Sequence, residues 1–115
     1  MAKAGESSQN FSARSMELVS LVDYQPHAVV SKQLLNKKAG TLTLFAFDKG
    51  EGLSEHTAPY DASVMILDGK AAIRIGEKSH TLAKGEMIIM PAGIPHSLKA
   101  AQRFKMLLIM IRSAE

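Results

Sequence analysis

The residue type best suited to chemistry near neutral pH in this chain is histidine. An unperturbed imidazole titrates close to neutrality, and its neutral form is a common ligand for first-row divalent metals. The 115-residue chain carries four histidines. His56 sits in the polar stretch Gly50-Glu-Gly-Leu-Ser-Glu-His56-Thr-Ala58, ahead of an apolar run that ends in Asp68-Gly69. His96 lies forty positions beyond His56, behind Gly85-Glu-Met-Ile-Ile-Met-Pro91-Ala-Gly93-Ile-Pro95. Either can act as a general base. The plain reading of either, taken alone, is a solvated or hydrogen-bonded side chain. His27 and His80 lack such a frame and read as surface residues. The chain contains no cysteine, so disulfides and thiolate metal sites are excluded, which fits a cytoplasmic protein.

The elements that must position these side chains belong to one domain, as expected for this length. Hydrophobic residues make up 46% of the chain, ordinary for a globular fold. The net charge of +3 comes from scattered lysines and arginines, and there are only six aromatic residues, two Tyr and four Phe. Without a basic run or stacking platforms, no nucleic-acid partner is expected. The polar stretch from Met1 to Ser15 has no apolar core segment. We therefore expect neither a signal peptide nor a membrane span there, and disorder over residues 1–14. Residues 15–115 form the folded domain.

From Ala28 onward the chain reads as β-structure. Strands are predicted at residues 29–35, 41–47, 62–67, 70–75, 80–82, 87–90, 96–99 and 104–112. Turn signals at residues 36–40, 48–52, 76–79 and 91–95 separate them. Asp68-Gly69 reads as a hairpin turn, and Ser15 to Val22 as a helical turn or irregular lead-in. Many short strands with Gly and Pro turns indicate an all-β sandwich or barrel. Met87–Met90 and Met106–Ile111 are apolar at every position, which predicts burial on both faces. A second subunit is the simplest cover for the outer face, so a homodimer is expected.

The two histidine segments resemble the two motifs of the cupin superfamily. The first motif runs Gly, five residues, His, one residue, His, three or four residues, Glu, six residues, Gly. Gly50, His56 and Gly69 fall in register, while Ala58 replaces the second His and Ala62 the Glu. The second runs Gly, five residues, Pro, one, Gly, two, His, three, Asn. Gly85, Pro91, Gly93 and His96 match, with Ala100 in place of Asn. The resemblance covers roughly residues 28 to 111 and implies a double-stranded β-helix, or jelly-roll, barrel, commonly dimeric. It also implies that His56 and His96 point inward and could hold a divalent transition metal ion. Alanine at 58 and 62 offers no lone pair, so two of the four ligand positions are missing. Glu55, Tyr60, Asp61 and His80 are the nearby residues that could replace them.

Side chains alternate along a strand. If Ala62 faces inward, so do Val64 and Ile66, and if His96 does, so does Leu98. The expected inner wall is therefore His56, Ala58, Ala62, Val64, Ile66, His96 and Leu98. That is a mostly apolar pocket with one polar focus, the usual build of a small-molecule site. Met65, Met87, Met90, Met106 and Met110 read as core and interface filler, with an adaptable Met-lined pocket for an apolar ligand as the second reading. Three functions compete. One is a barrel that binds a small molecule through an incomplete metal site. Another is an enzyme: a metal-dependent dioxygenase or isomerase using His56 and His96 with non-standard ligands, or a metal-free enzyme with a histidine base. The last is a sensing domain acting through a partner protein.

Overall fold

The computed structural model describes residues 11–112. Of the N-terminal stretch expected to be disordered, residues 1–10 lie outside the described residues, while the Arg14 guanidinium lies 5.1 Å above the Phe11 ring. A short 3-10 turn at Leu18–Ser20 precedes eight strands: β1 (Val29–Lys37), β2 (Gly40–Phe47), β3 (Gly52–His56), β4 (Ala62–Ile75), β5 (Lys78–Ala83), β6 (Met87–Met90), β7 (His96–Lys99) and β8 (Phe104–Ile111). Every pairing is antiparallel. The result is the all-β curled sheet expected from the strand and turn pattern, of the jelly-roll type that the motif resemblance implies. Among the described residues, no helix is long and apolar enough to cross a membrane.

The fold turns on β4. Its first half pairs with β8 on one side and β6 on the other. Its second half pairs with β7 and β5 in the opposite sheet. The hairpin expected at Asp68-Gly69 is therefore absent, and the two strands predicted on either side of it are one strand of 14 residues. The register against β8 slips between Ile66 and Asp68, and Gly69 takes φ +75°. The same Asp-Gly chemistry that would close a two-residue turn here makes a bulge that bends the strand from one sheet into the other. Gly69 is opposite Phe104, and a Cβ on it would lie 2.0 Å from the Arg103 carbonyl oxygen.

The barrel interior follows from alternation. Ala62, Val64 and Ile66 are buried on β4, and Phe47, Ile73, Phe104 and Met106 join them. The Phe47 and Phe104 rings stack with centroids 4.4 Å apart. Each buried ring contributes about 2–3 kcal/mol by removal from water, and the stacked pair about 1 kcal/mol more.

A second apolar cluster lies on the outside of the β1-β2-β8-β4 sheet. Leu44, Ala46 and Leu107 are buried there beneath Leu18, Leu21, Val22 and Tyr24. The chain thus covers part of this face with its own N-terminal segment, where sequence reasoning had called only on a second subunit. Lys105 Nζ donates to the Val19 carbonyl at 2.7 Å, and the Tyr24 hydroxyl donates to Asp68 Oδ2 at 2.6 Å. Burial, with the Asp68 hydrogen bond second, pushes the Tyr24 hydroxyl up from its ordinary value.

Asp48 ties the β2–β3 turn to β8. It accepts from Arg103 Nε at 2.8 Å and from the His27 backbone N–H at 2.7 Å. These bonds, Arg103 first, hold its carboxyl at about 2 rather than 3.8. A depressed carboxylate stabilises the fold above its unfolded value and loses that contribution as pH falls through its folded value. We expect an acid-induced loss of stability between about pH 4 and 2. It should be smaller in Asp48→Asn, as read from urea midpoints across that range.

Candidate functional site

β3 was not expected as a strand, because Gly52-Leu-Ser-Glu-His56 is too polar to show strand alternation. It forms by pairing with β7, where Leu53 faces Leu98 and His56 faces His96. That register brings two residues forty positions apart side by side. His96 Nε2 lies 3.2 Å from His56 Nε2, and the rings meet edge to face at 4.4 Å. His96 is buried and His56 is exposed, so the pair spans the wall from interior to solvent.

The other ring nitrogens face backbone carbonyls. His56 Nδ1 sits 2.8 Å from the Ser54 carbonyl oxygen, and His96 Nδ1 3.3 Å from that of Ile94. A carbonyl can only accept, so an Nδ1 that carries the ring hydrogen donates it there and leaves its Nε2 as an acceptor. At 3.2 Å the two Nε2 atoms are within hydrogen-bond distance, so a ring with its hydrogen on Nε2 donates to the other. Burial pushes His96 down from its ordinary value of 6.5. The Ile94 carbonyl opposes that shift, and the neighbouring His56 adds to it.

The two imidazoles line a cavity of about 50 Å³. Ala58, Ala62 and Leu98 line it with them. Val64 and Ile66, expected in its wall, do not line it. They share the inward face of β4 and are fully buried in the core with Phe47 and Ile73. Strand parity selects a face, not which residues of that face border a cavity.

The lining missed from the sequence is Leu53, Leu108 and three methionines, Met90, Met106 and Met110. Met90 and Met110 are the register partners of Ala62, one from β6 and one from β8. They flank the position where the motif places its carboxylate. The Met-lined second reading was the available signal. A wider groove of about 330 Å³ over Gly50–Ser54 and Ser97–Lys99 holds neither imidazole, so the chemistry belongs to the small cavity.

The residues that could have replaced the missing ligands do not line this cavity. Asp61 Oδ1 accepts from the Ala92 backbone N–H at 2.8 Å, capping the Pro91–Gly93 turn. The Gly93 N–H donates to the Ala58 carbonyl at 2.8 Å, so the two motif loops are tied to each other. Glu55 is exposed, Tyr60 and His80 are half-buried, and His27 is exposed. Among the described residues, no group of three or more His, Cys, Asp or Glu side chains is placed to hold a metal ion. The donor set does not fit the four-ligand divalent centre that the two motifs imply.

Comparison with known proteins agrees with this architecture. A conserved protein of unknown function from Streptococcus pyogenes superposes with a TM-score of 0.84 at 36% identity, covering 90% of each chain. A cupin superfamily protein from Desulfitobacterium hafniense gives a TM-score of 0.85 at 28% identity over 91% of this chain and 96% of that one. An uncharacterised protein of Streptomyces coelicolor is 30% identical over 64 residues, which is 56% of this chain and 61% of that relative's length. Residues 43–112 match the family model described as the cupin domain. With that match spanning more than half of its length, the chain belongs to the cupin family.

Proposed function

We propose that this cupin is a ligand-binding barrel whose cavity takes a small ligand through the His56–His96 pair, rather than a metal enzyme of the four-ligand kind. The convergence of the two Nε2 atoms at 3.2 Å, in the lining of an otherwise apolar cavity, carries this reading. Small-molecule sites combine an apolar lining with a few convergent polar groups in this way. An Nε2 lone pair takes an electron-poor group: a hydroxyl or N–H donor, or a cation. A cavity of about 50 Å³ limits the inserted part to a few heavy atoms. The metal-dependent dioxygenase or isomerase reading needs a third donor, and no carboxylate lines the cavity.

A homodimer is part of the proposal. Met87, Ile89 and Ile111 are 51%, 58% and 55% exposed, more apolar side chain than the N-terminal segment covers. The absence of cysteine supports placement in the cytoplasm.

The test is side-chain NMR of the four imidazoles during titration with 1-propanol, a small hydroxyl donor. The His56 and His96 ring signals are expected to move while those of His27 and His80 stay. The response should vanish in the His56→Ala/His96→Ala chain. If neither ring responds to 1-propanol or to a metal cation, the ligand-binding reading fails.

A further inference from the structure

We infer that the cavity is a site for a soft monovalent metal ion, copper(I), held by His56 Nε2 and His96 Nε2 and completed by thioether sulfur from the methionines around Ala62. The inference rests on the reading of this cavity as a ligand site and names its ligand.

The histidines supply the first half of the argument. Each turns Nδ1 to a backbone carbonyl and Nε2 to its partner. Metal-bound histidines are commonly oriented by a hydrogen bond at the other ring nitrogen. With metal–nitrogen bonds of about 2.0–2.1 Å, a nitrogen separation of 3.2 Å corresponds to an angle of roughly 100° at the ion. That is far from linear, so two imidazoles alone leave one side of the ion open.

The lining decides what fills that side. Leu53, Ala58, Ala62, Leu98 and Leu108 have no side-chain donor atom, whereas Met90, Met106 and Met110 each carry a thioether. Met90 is 3% and Met106 1% exposed. Met90 and Met110 stand on either side of Ala62 by strand register, and the small alanine leaves the space between them. The three rotatable bonds of methionine let its sulfur adapt to the ion. Imidazole and thioether without carboxylate is a soft donor set, which selects copper(I) over hard or borderline divalent ions. The competing arrangement is a neutral Nε2–H···Nε2 hydrogen bond between the two rings, which a bound ion would replace.

The experiment uses silver(I) nitrate in chloride-free buffer as the redox-inert stand-in for copper(I), with the full chain carrying labelled methionine methyl groups. We expect one silver ion bound per chain, with zinc(II) at least about 100-fold weaker. The methyl signals of Met90, Met106 or Met110 should shift while those of Met16, Met65 and Met87 do not. The triple variant Met90→Leu/Met106→Leu/Met110→Leu keeps volume and apolarity. It should bind silver at least about 10-fold more weakly with both histidines intact. His56→Ala, at an exposed position, should lose the site while keeping the fold.

Silver binding that moves no cavity methionine, or equal affinity in the triple variant, would overturn the inference, as would a preference for zinc. If 1-propanol moves the two imidazoles and silver does not, the metal is wrong and the ligand site stands. If neither moves them, both are wrong.

Discussion

Replacing Gly69 by alanine is expected to destabilise the barrel by about 3–5 kcal/mol, in the range reserved for substitutions with a definite structural cause. Two effects add. The residue sits at φ +75°, where a side chain costs about 1–2 kcal/mol. The new Cβ would also lie 2.0 Å from the Arg103 carbonyl oxygen and 3.0 Å from the Phe104 Cα. Those are backbone atoms of β8 and its approach and cannot rotate away, so the start of β8 must move. Phe104 is fully buried against Phe47 and Arg103 holds Asp48, so the movement disturbs the core and the β2–β3 turn together. Gly85 is the control. Its φ is +88°, but nothing lies within 4 Å of a Cβ placed there. Gly85→Ala should therefore lose only the conformational part, about 1–2 kcal/mol. Urea unfolding of both variants measures the difference. Equal losses would show that the close approach of Arg103 does not matter.

The double substitution Ala58→His/Ala62→Glu is expected to tighten zinc(II) or manganese(II) binding by at least about 100-fold. Losing a group that merely orients a ligand costs 10–100-fold in metal affinity, so gaining two ligands should exceed that range. Both alanines line the cavity with the two imidazoles. The substitutions would supply the nitrogen and carboxylate oxygen that a four-ligand divalent site requires. The adaptable Met90 and Met110 beside position 62 can yield to the longer side chain. Without metal, the variant should be less stable than the parent, since it buries a carboxyl group in an apolar setting. Its melting temperature should then rise with added metal, because an ion that binds only the folded state stabilises it. Competition titration against a chelator gives the affinity. If the double variant binds no better than the parent, the alanines do not face the imidazoles as the cavity geometry states.

Much of the barrel was legible because its strands carry local signals. Thr41–Phe47 and Met87–Met90 are short apolar or β-branched runs between Gly and Pro turns, and the last strand is a nearly unbroken apolar run. The two elements misread have local chemistry that permits two outcomes. Asp68-Gly69 can close a hairpin or form a bulge, and only the pairing of residues 70–75 with β5 and β7 selects the bulge. Gly52–His56 is polar and short, and it becomes a strand because β7 offers it an edge.

The candidate site divides in the same way. From the sequence alone came the all-β class and, through the resemblance to the two cupin motifs, the register of His56 and His96 and the alanines at 58 and 62. The class follows from local strand and turn signals along one chain. Only the tertiary structure could decide that the two Nε2 atoms meet 3.2 Å apart. It alone left Val64 and Ile66 out of the cavity lining and brought Met90 and Met110 beside Ala62. Alternation fixes which face a side chain takes within one strand, but a one-residue slip reverses it. Slips occur within the paired segments at Gln33/Leu35, Leu53/His56 and Ile66/Asp68. Which side chains become neighbours across β6, β4 and β8 is set by inter-strand register, a property of the packed sheet that no local stretch of sequence contains.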